Sequence, residues 1–351
     1  MARIASIATG VPQYRISSDV AKQLLLKQLS RWGKSPDRFV QILQNTCIES
    51  RHTVYSAEEV LEEHSLGQRN ADYQTASIQL AEQLVQQALD DAGLKPQDID
   101  AIICVSCTGF MLPSIDAHLI NRLQMNPNVR RLPITELGCS AGAAGLIRAL
   151  EQMATYPESH VLLISIEFPS LTFQPSDRRM TQLVSSMIFA DGSAAVVLGP
   201  RDFGSGPTLL GSRSYTIPGT LDEMGYDLDE DGFHIVLSAK VPNVIQKTLR
   251  PELERLLHAH HATLADLRWY AIHPAGPKVL EMIADDLELE ATDLAASWKV
   301  LRDYGNMSSA SVLFVISQML QDPPAQPGEL GVIVAFGPGI TGELILARWG
   351  D

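Results

Sequence analysis

Residues 134–146 read ITELGCSAGAAGL: an apolar lead-in, one cysteine, then a run of very small residues. Such a lead-in followed by Ala141, Gly142, Ala143, Ala144 and Gly145 describes a strand turning into a helix thin enough to lie deep among other backbones. A cysteine at that junction has two readings. It is a small core residue, as buried cysteines commonly are. Or it is a thiol at the first turn of a helix, where the positive end of the dipole favours the thiolate. The second reading needs partners, and the rest of the chain has to supply them.

The chain has 351 residues, enough for two domains or one large duplicated one. Hydrophobic content of 45% and charged content of 19% belong to an ordinary globular protein. A net charge of -14 argues against a nucleic-acid surface. The start MARIASIATGVP reads as a strand and a turn, not a secretory leader. No apolar run reaches the ~18 residues of a membrane span, so a cytoplasmic protein without a membrane partner is expected. Four cysteines (Cys47, Cys104, Cys107, Cys139) are too few for a disulfide scaffold. Cys104 and Cys107 form CVSC, but no second pair or suitably spaced histidines follow. AIICVSC reads as a buried strand, with Cys107 facing a cavity from its C-terminal end, and no metal is expected.

Strands are expected at 101–107, 131–136, 160–166, 193–199, 208–216, 233–237, 268–272, 331–336 and 343–348, after a first strand RIASIA. Helices are expected at 17–32, 71–92, 115–123, after Cys139, and at 178–188, 241–258, 277–287, 293–303 and 307–320. The alternation implies α/β layers. SAAVVLGP closes a first half, and GVIVAFGPGITGELILARWG closes a second with paired strands. The boundary is expected near 200–207, giving halves 1–205 and 206–351. The acidic run 217–232 contains DLDEDG, which begins like a calcium loop, but its twelfth place holds Ser238 rather than glutamate. It reads as a solvated surface loop.

Three later stretches look built for chemistry. WYAIHPAGP puts His273 at a strand end before a turn, exposed at the mouth of an α/β layer, where sites gather. RDYGNMSSAS puts Asn306 just before an apolar helix, a position that also suits an N-cap. AFGPGITGE breaks a strand into Gly337, Pro338 and Gly339, without the lysine a phosphate loop would carry. One cysteine, one histidine and one asparagine at strand–helix junctions fit two chemistries. In a thiol hydrolase the asparagine orients the histidine; in a Claisen condensation both donate to a thioester oxygen.

The chain resembles type III polyketide synthases, the chalcone-synthase-like branch of the thiolase-fold condensing enzymes. The motifs that carry the resemblance are VSCTGFMLPS, ELGCSAGAAG, MIFADGSAAVVLG, WYAIHPAGP, YGNMSSASVLF and AFGPGITGE, in that order. SCTGFMLPS and the LGC run look most like bacterial enzymes that make tetrahydroxynaphthalene or phloroglucinol. The resemblance implies duplicated thiolase-like halves in a layered αβαβα arrangement, acting as a homodimer. It implies that Cys139 carries the starter and growing chain, while His273 and Asn306 hold malonyl-CoA as it loses CO2. It implies that Phe189 is a gate, that Cys107, Thr172, Ile235, Ser308, Gly337 and Pro338 line the cavity, and that Leu112 crosses into a neighbour's pocket. Arg38 and Gly276 would meet coenzyme A. Gln41 and Asn45 stand where plant members carry basic residues, which leaves room for a carrier-protein donor. Substrates would be malonyl-CoA and a starter acyl-CoA, with no metal or redox cofactor. An initiating β-ketoacyl synthase, stopping after one condensation, is the alternative enzyme; a partner-binding scaffold is the non-enzymatic one.

Overall fold

The structure is a computed structural model describing residues 1–350. In the first half, β1 (Ala2–Gly10) is followed by β2 (Tyr14–Ser17), α1 (Ser18–Trp32), α2 (Asp37–Gln44) and β3 (Ser50–Thr53). Then come α3 (Leu66–Ala92), β4 (Ala101–Val105), α4 (Ile115–Arg122), β5 (Arg130–Ile134) and α5 (Ala141–Thr155). β6 (Val161–Glu167), α6 (Met180–Ile188) and β7 (Gly192–Gly199) complete it. The second half holds β8 (Thr208–Thr216), β9 (Met224–Leu228), β10 (Phe233–Leu237), α7 (Val241–Ala259) and β11 (Leu267–Ile272). It ends with α8 (Pro277–Leu287), α9 (Ala295–Tyr304), α10 (Ala310–Gln321), β12 (Leu330–Gly337) and β13 (Thr341–Arg348).

Nine strands form one sheet in the order β11-β12-β13-β8-β1-β7-β6-β4-β5. The order reads the same outward from its centre. β1, β7, β6 and β4 pair antiparallel, antiparallel, then parallel, and so do β8, β13, β12 and β11. The two runs meet only at Ala2↔Leu209 and Arg3↔Thr208. β6 and β7 are buried along their whole length, which explains why VLLISIE and GSAAVVLG show no polar alternation.

Between the two runs lie α5 and α10, both buried nearly throughout, in a core that draws on strands from both halves. The small residues after Cys139 make this packing feasible. A Cβ on Gly142 would collide with the carbonyl oxygen of Ser309, at the start of α10. Separate cores cover the outer faces, one with α3 and α4 and the other with α7 and α8. This is the layered thiolase-like α/β fold.

Several expectations need correction. α3 starts at Leu66 rather than 71, because Ser65 caps it by accepting from Gln68 N at 3.2 Å. The acidic run 217–232 is not all loop, since β9 lies in it and pairs with β10. α2 and the β2–β3 pair were not expected at all. The helix expected from 307 starts at Ala310, so Asn306 is no N-cap; Ser309 holds that place.

Candidate active site

Cys139 lies in the 3-10 turn Gly138–Ser140 that runs straight into α5. β12 backs this turn closely. A Cβ on Gly138, at φ +51°, would meet Pro338 Cδ at 2.6 Å, and one on Gly337 would meet Leu137 O at 2.6 Å. Gly337 and Pro338 thus form the support under the cysteine's turn, where any added bulk would displace it.

From the other half, His273 follows β11 and donates its backbone N–H to Val334 O at 2.8 Å. Its side chain is fully buried, not exposed at a mouth, and neither ring nitrogen has a hydrogen-bond partner among the described residues. Asn306 is the hub. Its Nδ2 donates to Ala275 O at 3.2 Å, two residues beyond His273. Its Oδ1 accepts from Ser308 N at 2.9 Å. Ser308, at φ +49°, turns its hydroxyl to within 3.5 Å of Cys139 Sγ. The Asn306 side chain also favours the thiolate of Cys139.

The expectation of a ready-made thiolate fails. Burial pushes the Cys139 thiol up to about 11, despite help from Ser308 and Asn306, and the nearby Glu167 adds to the rise. Burial likewise lowers His273 to about 3, so the imidazole is neutral at pH 7 and supplies no positive charge to the cysteine. Desolvation outweighs the helix terminus here.

Cys107 stands just past the end of β4 and shares the same hydroxyl, its Sγ 3.8 Å from Ser308 Oγ. Its other neighbour is Glu167, the last residue of β6, with Sγ 3.5 Å from Oε2 and the Cys107 amide donating to Oε2 at 3.1 Å. Thr108 Oγ1 donates to Glu167 Oε2 at 3.0 Å, and Ser309 Oγ to Oε1. Burial raises Glu167 to about 7 against these donors, so near neutrality it exists in both forms. Sequence reasoning missed Glu167. The signal was there: a lone glutamate closing the apolar run VLLISIE.

Phe189 follows α6 and bridges directly to Asn306. Asn306 N donates to Ile188 O at 3.0 Å, and Ala190 N donates to Asn306 O at 2.9 Å. Phe189 also lines a cavity of about 110 Å³ with Thr172, Tyr226, Ile235, Leu24 and Leu25. Ile235 and Tyr226 are register partners in the β9–β10 hairpin, and Thr172 lines the same cavity with its hydroxyl donating to Pro169 O at 2.8 Å. Burial raises the Tyr226 phenol first, and Cys107, Cys139 and Glu167 raise it further, which ties the cavity wall to the cysteines electrostatically.

Cys139, Asn306, Ser308, Cys107 and Phe189 are therefore linked by direct contacts, and His273 joins through Ala275. Three further expected residues face solvent or open space. Arg38 is exposed on α2. Gly276 precedes α8, with no atom within 4 Å of where its Cβ would be. Leu112 is 83% exposed. Among the described residues, no group of three His, Cys, Asp or Glu side chains is placed to hold a metal ion, and no helix is long and apolar enough to cross a membrane.

The profile of chalcone and stilbene synthases matches with its N-terminal domain over residues 1–202 and its C-terminal domain over 209–349. A 1,3,6,8-tetrahydroxynaphthalene synthase from Streptomyces coelicolor is 36% identical over 99% of this chain and 92% of that protein. A phloroglucinol synthase from Pseudomonas fluorescens is 34% identical over 88% of each chain. The crystal structure of the Streptomyces coelicolor tetrahydroxynaphthalene synthase, described as a bacterial type III polyketide synthase, superposes with a TM-score of 0.94, at 35% identity over 99% of both chains. These relatives favour the polyketide reading over an initiating fatty-acid synthase. With both domain profiles filling almost its whole length, the chain belongs to the chalcone and stilbene synthase family of type III polyketide synthases.

Proposed function

We propose that this enzyme extends a Cys139-bound acyl group by repeated decarboxylative Claisen condensation with malonyl-CoA and then cyclises the chain to an aromatic or pyrone product. In the loading step the Cys139 sulfur forms a bond to the starter carbonyl carbon, the bond to coenzyme A breaks, and the thiol proton leaves with the CoA sulfur. In the extension step malonyl-CoA loses CO2, and the electron pair of the broken C–C bond moves onto the thioester as an enolate. That carbanion attacks the acyl carbonyl on Cys139, the carbon–sulfur bond breaks and the sulfur leaves as thiolate and takes up a proton; the lengthened chain, now on coenzyme A, is loaded back onto Cys139 as in the first step. The charge passes from the malonyl carboxylate to a thioester oxygen and then to the departing Cys139 sulfur, and no step changes an oxidation state, so the sequence of steps as written calls for no metal or redox partner.

The observation that carries this reading is the linkage of Cys139, Ser308 and Asn306 with the His273 turn. A neutral imidazole and a carboxamide are donors for an enolate oxygen that spend no energy reorganising as charge develops. Thr172, Ile235 and Phe189 line the cavity that would shape the chain, and Cys107 would add to its walls from beside Cys139. Arg38 and Gly276 would face coenzyme A, with a carrier protein as another donor.

The protein is further proposed to be a cytoplasmic homodimer whose chain divides into halves 1–205 and 206–351. Phe110 is 67% exposed and Leu112 83%, an apolar pair in a strongly acidic chain that a second copy would cover. Incubation with labelled malonyl-CoA, alone and with a panel of acyl-CoAs, tests the reading. Multi-unit polyketides support it; a single-round β-ketoacyl product, or none, rejects it.

A further inference from the structure

The segment that carries Phe189 is pinned from two sides. Asn306 holds residues 188 and 190 on one side, as described above. On the other side is β3. Arg51, only 5% exposed, donates from Nη1 to Ser186 O at 2.7 Å and from Nη2 to Met187 O at 2.8 Å. These are among the last carbonyls of α6, which have no intrahelical partner and carry the negative end of its dipole. Arg51 makes no ion pair with a carboxylate among the described residues, and burial lowers its pKa only to about 10, so it stays charged. The grip continues past the ring. Asp191 N donates to His52 O at 3.0 Å, and Asp191 accepts from Val54 N and Ser170 N, both at 2.8 Å. Phe189 sits between these two sets of ties, facing the cavity that Arg51 also borders.

We propose that Arg51 is a positioning residue for Phe189, holding the end of α6 so that the ring selects which acyl chains pass from Cys139 into the cavity. The proposal rests on Phe189 standing at that boundary in the condensing enzyme proposed above. A guanidinium suits the task because its fork reaches two successive carbonyls at once, whereas an ammonium is a single point.

The test offers the full-length protein an equal mixture of acetyl-CoA and octanoyl-CoA and reads the ratio of the two acyl adducts on Cys139 by mass spectrometry. A ratio within one sample cancels any loss of folded protein, so a purely structural defect does not move it. Arg51→Met should shift the ratio at least about fivefold, in the same direction as Phe189→Ala, and Arg51→Lys should shift it less. The double variant Arg51→Met, Phe189→Ala should move no further than the larger single change. If Arg51→Met does not fold, the same cycle with Arg51→Lys decides. Ratios within about twofold of wild type, or shifts that multiply in full with that of Phe189→Ala, overturn the assignment to Arg51. Absence of any adduct on wild-type Cys139 rejects the condensing reading itself, a result distinct from normal adducts with unmoved ratios.

Discussion

Two cysteines reach for one hydroxyl. Ser308 Oγ lies 3.5 Å from Cys139 Sγ and 3.8 Å from Cys107 Sγ, yet their surroundings differ in kind. Cys139 sits on a tight turn at a helix start, with the Asn306 side chain also favouring its thiolate. Cys107 sits past a strand end against Glu167, whose charge opposes ionisation and whose carboxylate accepts its thiol proton. Burial raises both, but Ser308 and Asn306 both favour the thiolate of Cys139, whereas at Cys107 Ser308 favours it and Glu167 opposes it. A thiol that must release its proton belongs in the first setting, and a thiol that holds its proton belongs in the second.

The largest test of this contrast is Cys139→Ala, which should lower condensation by at least about a thousandfold. Cys107→Ser should still condense, and a comparable loss in both variants, measured as product per enzyme, would erase the distinction. Next in size, Asn306→Ala should reduce malonyl-CoA decarboxylation about 10²–10³-fold, as the loss of one donor to a developing oxyanion does. His273→Ala should cost similarly, and the double variant should fall well short of the product of the two. Because His273 is neutral in the free enzyme, its removal should leave iodoacetamide labelling of Cys139 at pH 7 nearly unchanged. A marked slowing would restore the imidazolium that the structure argues against.

Glu167→Gln sharpens the contrast electrostatically. Glu167 raises Cys107 both by its charge and by accepting its thiol proton, with Oε2 3.5 Å from Sγ, whereas it raises Cys139 by its charge alone. Loss of its charge should therefore speed alkylation of Cys107 more than that of Cys139, roughly three- to tenfold against less than about threefold. The same variant carries a stability signature. Glu167 binds its proton more tightly folded than unfolded, about 7 against 4.5, so its contribution is full below pH 4.5 and is lost as pH rises through 7. Chemical denaturation across that window should show a decline of order 1–3 kcal/mol that Glu167→Gln reduces. An equal slope in both proteins would mean that the carboxyl is not so perturbed. Smallest in effect, Cys107→Ser should change the ratio of cyclised product to shunt pyrone a few-fold, through the walls that shape the chain. Chromatography of the products resolves this, and an unchanged spectrum would make Cys107 a packing residue.

How far the sequence carried the reading differs by residue. Cys139, His273 and Asn306 were legible because each interrupts a pattern at a strand–helix junction, and their motifs matched a family. The small residues of α5 announced a close approach, and Gly142 against Ser309 O is that approach. Glu167 was passed over because its partners, Cys107, Thr108 and Ser309, arrive from distant stretches. Arg51 was hidden in the polar stretch ESRHT, where nothing local marks a side chain buried by a remote helix end. β2, β3 and β9 are four or five residues long, too short for periodicity to register. The thiolate expected of Cys139 fails for one reason: helix position is local, but desolvation is set by the whole fold.

The central claim is that Cys139, and not Cys107, carries the acyl chain. Its most direct test is to incubate the enzyme with a labelled starter acyl-CoA, digest it, and locate the thioester by mass spectrometry. The account predicts the label on the peptide containing Cys139, absent from Cys139→Ala and retained in Cys107→Ser. A label on Cys107, or one that survives Cys139→Ala, would contradict it.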